Sequence, residues 1–351
     1  DITVKAGDTE GTNKVKQGDS DFVRDEGDTI ITGTSNQNTV TIDTSEGNVD
    51  VTFGNLNIDA SSGNEAAVSV TGSGDTNIEL DGDNELKSGR NRAGLEHNQT
   101  VDSEGNVTSG KLTIQDDNDK AGSLDATGGL YGAGIGGGYY GDGRVTITGD
   151  AIIEEAQGGI QSAGIGGGQG ADGVVEISGN ARIDKVIGGD YAAGIGGALG
   201  MSGAPSNGKV TIKDNAQIGL AQGGFGAAGI GGGYYYSTGH SPNNSTSGVG
   251  DVTIEGNATV NAVGGLGAAG IGNGVNAIDC GGAAANQITI RSSEAGSPTV
   301  NATGGVSGFD EDLEKNLPGG AGIGSGAGDA KANITLEGKV TIVAKAGDGN
   351  V

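Results

Sequence analysis

The chain of 351 residues contains 76 glycines, no tryptophan and 33% hydrophobic residues, a composition that excludes a thick globular core and a helical bundle. Its net charge of 19 − 45 = −26 repels phosphate groups, so neither nucleic acid nor an anionic membrane surface is expected as a partner. No apolar run approaches the roughly 20 residues that span a bilayer, so direct membrane insertion is not expected either.

The first part of the chain, residues 1–120, is predicted to form a cap and the first, degenerate coils of a solenoid. Apolar residues alternate with polar ones here, which is the period of a β-strand, because every second side chain of a strand points the same way. The apolar pairs are Val40/Ile42, Val51/Phe53, Ile78/Leu80 and Leu112/Ile114. The polar run over residues 8–28 is predicted to be irregular, and terminal coils are expected to be atypical because they end the stack.

The rest of the chain, residues 121–351, repeats two short phrases. One is a Val-Thr-Ile-like phrase, with copies that begin at Val145, Val175, Val210, Val252, Ile288 and Ile334. The other is Ala-Gly-Ile-Gly, with copies centred on Ile135, Ile165, Ile195, Ile230, Ile271 and Ile323. These isoleucines are 30, 30, 35, 41 and 52 residues apart, so the unit without insertions has 30 residues and the longer units carry insertions.

A single unit, residues 143–172, predicts how the chain winds. It holds three apolar pairs of strand period, which are Val145/Ile147, Ala151/Ile153 and Ala163/Ile165. Glycine and aspartate mark the corners, at Gly149-Asp150, Gly158-Gly159 and Gly166-Gly167-Gly168. We therefore predict an all-β fold, a single-stranded parallel β-helix with three short strands per coil, right-handed as parallel crossovers are. Its apolar axis should contain Ile135, Ile165 and Ile195 in one buried column of one elongated domain.

Two sets of outward positions are expected to depend on this alignment. After the Val-Thr-Ile phrase, the residues Lys213, Glu255, Arg291 and Glu337 alternate in sign, so each charge should face an opposite charge on the next coil. The third strand carries glycine at its outward positions, from Gly134 to Gly324. These glycines are explained by a flat, uncovered face that a ligand approaches closely, by a tight coil geometry, or by a loop that folds back over the face.

The repeated phrases resemble those of a family of Gram-positive bacterial surface proteins, in which AGIGGG repeats alternate with VTITGG-like strands. Residues 132–138 read GAGIGGG and residues 163–168 read AGIGGG, whereas Gly197-Ala198, Gly272-Asn273 and Gly324-Ser325 depart from the phrase. The resemblance covers residues 131–337, with a weaker echo over residues 40–113. Proteins of this family are often described as adhesin-like or carbohydrate-binding. The resemblance therefore implies a right-handed β-helix and an extracellular location, at the cell surface or secreted, and it transfers no catalytic residues.

Insertions fall at one corner, directly after the glycine-rich strand, and such edges are where solenoids commonly bind ligands. Tyrosine is concentrated at this corner, and its flat apolar face and hydroxyl suit stacking on sugars or anchoring a protein. The predicted ligand-binding residues are Tyr139, Tyr140, Tyr191, Tyr234, Tyr235, Tyr236 and His240. The alternative is that these tyrosines only cover the glycine-rich strand.

Catalysis and metal binding have weaker support in the sequence. Glu154 and Asp184 occupy equivalent outward positions on adjacent coils, about 5 Å apart, but solvated strand carboxylates explain this pair better than a hydrolase site does. No cofactor is predicted. The acidic turns at residues 81–85 and 116–119 leave calcium as an alternative, although neither follows the EF-hand spacing. An ice-binding face is disfavoured because Glu176 interrupts the file of threonines that such a face would need.

Together these features favour a non-catalytic module at the bacterial surface, an adhesin or ligand-binding protein that presents corner loops on a β-helix. Its predicted partner is a host glycan, a mucin or a secreted host protein. Two alternatives stay open, a polysaccharide lyase or hydrolase on the same fold and a passive structural stalk. Cleavage of glycans would indicate the enzyme, and the lack of any saturable ligand would indicate the stalk.

Overall fold

The computed structural model of the chain describes residues 1–200, 206–235, 249–276, 285–328 and 331–349. Over these residues it contains 31 β-strands and no helix, and 29 of the strands join one sheet that is parallel along most of its length. The predicted all-β parallel solenoid is therefore confirmed, while its right-handed winding stays a prediction. A helix of the length and hydropathy needed to cross a bilayer does not occur in the described part of the chain.

The N-terminal part begins with a small antiparallel cap. Its strands are β1 (Ile2–Ala6), β2 (Asn13–Gln17), β3 (Val23–Asp25), β4 (Ile30–Ser35), β5 (Val40–Asp43), β6 (Val49–Asp59), β7 (Val68–Thr71), β8 (Thr76–Lys87) and β9 (Leu95–Gln99). β1 pairs antiparallel with β2 and parallel with β5, and β2 pairs antiparallel with β3. The prediction that residues 8–28 are irregular is therefore wrong. Strands at the end of a stack have one face in water, so they form without a strict apolar pattern.

The repeated units supply the remaining strands. They are β10 (Leu112–Gln115), β11 (Gly122–Thr127), β12 (Ile135–Gly136), β13 (Asp142–Ile147), β14 (Ile152–Gln157), β15 (Ile165–Gly166), β16 (Gly173–Ile177), β17 (Arg182–Ile187), β18 (Ile195–Gly196), β19 (Gly208–Ile212), β20 (Gln217–Gln222), β21 (Ile230–Gly231), β22 (Gly250–Glu255), β23 (Thr259–Val263), β24 (Ile271–Gly272), β25 (Asn286–Arg291), β26 (Thr299–Thr303), β27 (Gly308–Asp310), β28 (Lys315–Leu317), β29 (Ile323–Gly324), β30 (Ala332–Glu337) and β31 (Thr341–Lys345).

Parallel pairs arrange these strands in three columns. The first column runs through β10, β13, β16, β19, β22, β25 and β30. The second runs through β11, β14, β17, β20, β23, β26 and β31. The third runs through β9, β12, β15, β18, β21, β24 and β29. The long strand β8 pairs with both β10 and β11, so the first two columns continue into the N-terminal part.

The core is a thin aliphatic axis enclosed by the three columns. Ile135 pairs with Ile165 and Ile165 with Ile195, and all three side chains are fully buried, so the predicted isoleucine column is confirmed. Val145 and Ile147 close a second side of the axis with 1% and 0% exposure. Each isoleucine buried in this way contributes about 1.5–3 kcal/mol. Because every coil contributes a similar small set, the stability is spread along the solenoid rather than concentrated in one place.

Glycine occupies one corner because adjacent coils approach each other there at backbone distance. A Cβ added at Gly159 would lie 1.7 Å from the carbonyl oxygen of Gly129, and one added at Gly189 would lie 1.9 Å from that of Gly159. We call the positions that share this contact the glycine column; they are Gly89, Gly129, Gly159, Gly189, Gly224, Gly265, Gly305 and Gly347. No other residue type fits this column without displacing the backbone of the coil before it.

The glycines of the third column have the same kind of origin. From Gly134 to Gly324 they are buried, so the uncovered glycine face is not formed and the tight coil geometry is the correct explanation. Gly136 and its equivalents Gly166, Gly196, Gly231, Gly272 and Gly324 have φ between 129° and 139°. L-residues with a side chain rarely adopt that conformation, so glycine is required at these positions by the backbone.

The outward charges of the first column pair in part as predicted. Arg291 lies beside Glu255 on the adjacent coil, with an Nη2 to Oε2 distance of 2.6 Å, and it is also in register with Glu337. Lys213 instead bonds to Glu176 on the coil before it, at 2.7 Å. Exposed ion pairs contribute little to stability, so their main value is to favour one register.

Candidate functional site

The insertions start in a regular way that the sequence did not predict. After each third strand, one backbone N–H donates to a carbonyl at the preceding corner, as Tyr139 does to Asn91 at 2.9 Å and Tyr234 to Tyr191 at 2.9 Å. The same bond joins Gln169 to Tyr131, Leu199 to Gln161, Val275 to Gly226 and Ala327 to Gly267. The insertion of each coil is therefore attached to the corner of the coil before it, which fixes where its first side chains lie.

Three tyrosines form an exposed aromatic cluster at this corner, which we call the tyrosine shelf. The ring centroids of Tyr131 and Tyr139 are 5.4 Å apart, and those of Tyr139 and Tyr140 are 4.1 Å apart. Tyr139 and Tyr140 are 42% and 57% exposed. A hydrogen bond with Tyr140 raises the pKa of Tyr139, so the Tyr139 hydroxyl stays protonated at neutral pH. The shelf presents apolar rings and hydroxyl groups side by side.

The backbone holds the shelf in place from both sides. The N–H of Tyr140 donates to the carbonyl of Gln169 at 3.0 Å on the following coil, while Tyr139 is bonded to the preceding one. Tyr140 has φ of 58°, an unfavourable value for a residue with a side chain. Its ring occupies space that a side chain at Gly170 would need, since a Cβ there would lie 2.6 Å from Cε1 of Tyr140.

A shallow groove of about 420 Å³ lies beside the shelf, and we call it the corner groove. Its floor is the double glycine of three successive coils, Gly128-Gly129, Gly158-Gly159 and Gly188-Gly189. Leu130, Ile160 and Asp190, which directly follow the double glycines in the chain, line the groove together with Thr127 and Gln157, which directly precede them. Ile160 is 47% exposed. Leu130 of the groove directly precedes Tyr131 of the shelf in the chain, so the two adjoin.

The later tyrosines have a different surrounding, because they hold a hairpin formed by β27 and β28. The hydroxyl of Tyr234 donates to Oδ2 of Asp310 at 3.1 Å, and that of Tyr191 donates to Oδ2 of Asp312 at 2.5 Å. The two rings meet edge to face with centroids 5.1 Å apart. Tyr234 also belongs to a second small apolar core that includes Leu199, Val275, Leu317 and Ala327.

Of the predicted ligand-binding residues that the structure describes, only Tyr139 and Tyr140 therefore offer an open ring. Tyr234 and Tyr235 are 1% and 5% exposed, and Tyr191 is partly buried against the hairpin. Tyr236 and His240 lie outside the described residues. The sequence could not show this difference, because the aspartates that bind Tyr234 and Tyr191 are 76 and 121 residues away along the chain.

Raising the pH is expected to weaken the attachment of the hairpin. Burial, together with the charges of Asp310 and Asp312, raises the pKa of Tyr234 above its ordinary value of about 10. As the pH rises, the unfolded chain loses the Tyr234 proton at a lower pH than the folded chain does. The contribution of this hydroxyl to the free energy of unfolding is therefore complete below about pH 10. Above that pH it falls by about 1.4 kcal/mol per pH unit for one tyrosine. In urea unfolding experiments between about pH 9 and 11, the free energy of unfolding should depend less on pH for Tyr234→Phe than for the wild type. Equal slopes for the two proteins would contradict the assignment.

Several of the carboxylates singled out in the sequence interact with donors of the chain itself. Asp184 lies 3.3 Å from Arg182, and Glu154 is exposed. In the acidic turns, Oδ2 of Asp81 accepts from Lys120 at 3.0 Å, and Oδ2 of Asp116 accepts from the N–H of Gly122 at 2.9 Å. Across the described ranges, no three His, Cys, Asp or Glu side chains are grouped so that they could hold a metal ion.

The groove residues were missed by reasoning from the sequence, although a signal was present. Leu130, Ile160 and Asp190 directly follow the double glycines, as do Phe225 and Leu266 in later coils. This position varies while its neighbours repeat, which is typical of a side chain that points into solvent at a corner.

Comparison with protein-family models gave no match, and comparisons with curated proteins and with solved structures gave none either.

Proposed function

We propose that the chain is a non-catalytic binding module displayed outside a bacterial cell, with the tyrosine shelf and the corner groove as its binding site. The ligand is the carbohydrate of a host glycan or of a secreted glycoprotein such as a mucin. The observation that carries this proposal is the shelf, which is exposed and at the same time held rigidly by hydrogen bonds to two neighbouring coils.

The backbone conformation of Tyr140 costs free energy that the packing of its exposed ring does not offset. A residue with a side chain at positive φ loses about 1 kcal/mol or more, and a ring that stays in water gains little by burial. Gly170 stands at the equivalent position of the next coil and avoids that cost. Strain of this kind is typical of sites that serve binding, and fixed aromatic rings lose little entropy when a ligand stacks on them.

The groove adds the polar groups that an extended sugar chain needs. Gln157 and Asp190 are exposed residues of its lining and can bond to hydroxyls, while Ile160 offers an apolar surface. The glycine floor lets a ligand approach the backbone itself. Sites that combine an apolar platform with a few placed polar groups are common for small ligands and sugar units.

Replacing the shelf tyrosines is expected to remove binding. In a glycan array followed by calorimetry, Tyr139→Ala and Tyr140→Ala should each weaken the best ligand at least about tenfold, or about 1.4 kcal/mol, because a stacked ring is lost. Phe309→Ala is the matched control, since this aromatic residue is 55% exposed and lies on the hairpin. Its affinity should equal that of the wild type.

Three outcomes would reject the proposal. Unchanged affinity in the double tyrosine variant would place the site elsewhere. New reducing ends or unsaturated sugars in the incubated samples would indicate a polysaccharide-processing enzyme. The lack of any saturable ligand among plant, mucin and host glycoprotein samples would indicate a passive stalk.

A further inference from the structure

The corner groove runs along the axis of the solenoid and not around it. Its floor consists of the double glycines of three successive coils, and the backbones of these coils are in direct contact there, as the short distances at Gly159 and Gly189 show. Parallel strands repeat about every 4.8 Å, so the floor measures about 10 Å from the first coil to the third. A ligand that fills the groove is therefore extended and crosses from coil to coil.

The lining of the groove is in step with the coils. Leu130, Ile160 and Asp190 stand at the same position of consecutive 30-residue units. On the strands that lead into the floor, Thr127 pairs with Gln157 and Gln157 pairs with Ile187. Each coil thus presents one new set of lining residues, and the step between sets is close to the length of one sugar unit in a straight chain. Straight chains of this kind have β linkages between their units.

The lining changes from apolar to polar with distance from the tyrosine shelf. Leu130 directly precedes Tyr131 of the shelf, Ile160 on the next coil is 47% exposed, and Asp190 on the third coil is exposed. A pyranose ring carries C–H groups on its faces and hydroxyls on its rim. Its faces suit the apolar end of the groove, and its hydroxyls suit the carboxylate at the other end.

The surroundings of the groove are acidic. The strands that lead into it, β11, β14 and β17, carry four acidic and two basic side chains, and with Asp190 the balance is 2 − 5 = −3. Both basic side chains are already bound, Lys185 to Glu155 at 2.8 Å and Arg182 to Asp184 at 3.3 Å. The residues that line the groove, all within the described ranges, include neither Lys nor Arg. A sulfate or carboxylate on a ligand would therefore meet like charge without a cation to compensate it.

We infer that the corner groove takes an extended, β-linked glycan chain without acidic groups, which lies along the axis with one sugar unit on each of three coils. The first unit stacks on the tyrosine shelf, the second lies on Ile160, and the third donates hydroxyl hydrogen bonds to Asp190. This inference rests on the proposed binding function and adds to it the charge, the length and the direction of the ligand.

Calorimetric titration with N-acetyllactosamine oligomers, a neutral β-linked chain, tests the length and the direction. The affinity should rise at least about fivefold from two sugars to three and change little for longer oligomers, because the groove spans three coils. Asp190→Ala should weaken the three-sugar oligomer about fivefold and leave the two-sugar oligomer unchanged, whereas Tyr139→Ala should weaken both. Asp119→Ala is the matched control, an exposed acid at the corner between β10 and β11, and should bind like the wild type.

Several results of this titration would overturn the inference. One is an affinity that stops rising at two sugars, and another is an effect of Asp190→Ala that is absent or equal at both lengths. Failure of the neutral oligomers to bind, when another glycan binds at the shelf, would do the same. Circular dichroism checks that every variant is folded.

The charge is tested with the same oligomers carrying sulfate groups. At low salt they should bind at least about tenfold more weakly than the neutral chain, and the difference should shrink as salt screens the acidic side chains. Asp190→Asn keeps a polar side chain but removes one charge. It should bind the neutral chain within about threefold of the wild type and lessen the loss caused by sulfate.

Equal or tighter binding of the sulfated oligomers would overturn the inference. Arg90 identifies the cause in that case, because it is exposed and stands at the position of Leu130 on the coil before the groove. Loss of this binding in Arg90→Ala would show that an acidic ligand is held there and not in the groove. The binding function itself is rejected by a different result, namely unchanged affinity in the double tyrosine variant or the lack of any glycan ligand.

Discussion

A Gly159→Ala variant is expected to lose about 3 kcal/mol or more of its free energy of unfolding, because the added methyl group has no space. Its Cβ would lie 1.7 Å from the carbonyl oxygen of Gly129. That oxygen belongs to the backbone of the adjacent coil, so it cannot turn away as a side chain would. Urea unfolding followed by circular dichroism measures the effect, and midpoints are compared because a repeat array does not have to unfold in one step.

Gly63→Ala is the matched control for this experiment. Gly63 precedes the glycine column, since a Cβ at Gly89 would lie 2.4 Å from its carbonyl oxygen. A Cβ at Gly63 itself would lie 3.5 Å from the carbonyl oxygen of Ala60 and 3.9 Å from the backbone nitrogen of Glu65, both ordinary contact distances. This variant should unfold at the midpoint of the wild type. Equal losses in both variants would mean that glycine acts there through chain flexibility and not through coil contact.

An Asp310→Ala variant is expected to release the hairpin of β27 and β28 from the solenoid. Asp310 is fully buried, accepts the hydroxyl of Tyr234 and also caps its own turn, where the N–H groups of Asp312 and Leu313 donate to Oδ1 at 3.0 and 3.1 Å. Its loss leaves three donors without an acceptor, a cost of about 3 kcal/mol. The fraction of molecules in which the hairpin is released should rise about a hundredfold.

Trypsin detects this opening: the Lys315 side chain is exposed, but its backbone is paired with β27 and must leave that pairing before a protease can bind it. Cleavage after Lys315 should be much faster in Asp310→Ala than in the wild type, while the β-sheet signal of the solenoid stays the same. Glu311→Ala is the control, since Glu311 is exposed and adjacent to Asp310. Similar cleavage rates in all three proteins would show that the hairpin is held by its apolar contacts and not by Asp310.

The solenoid could be predicted from the sequence because its pattern is local. The apolar pairs such as Val145/Ile147 and the regular return of Ile135 and Ile165 determine which side chains point inward, and both were confirmed. The antiparallel cap could not be predicted in the same way. Its strands lie at the end of the stack, where pairing alone stabilises them and no apolar period is needed.

The site was predictable only in part. Tyr139 and Tyr140 remain exposed as expected, since their surroundings come from neighbouring coils of the same repeat. Tyr234 is buried by a hairpin that belongs to an insertion of a later unit, and repeats carry no information about such insertions. The role of the glycines was also predictable only in part. Their abundance indicates that something approaches the backbone closely, but it does not show whether that is a ligand or the next coil.

The glycine column has one more consequence, which concerns how molecules of this kind can change in length. Each coil meets its neighbour through the same backbone contact, so a complete unit can be gained or lost by duplication or deletion while the glycine contacts between the remaining coils are preserved. The molecule would then lengthen or shorten in steps of about 4.8 Å. Gain or loss of only part of a unit would not be tolerated in this way, since residues other than glycine would then occupy the corner of the glycine column. The length of the solenoid can therefore vary while its fold is preserved.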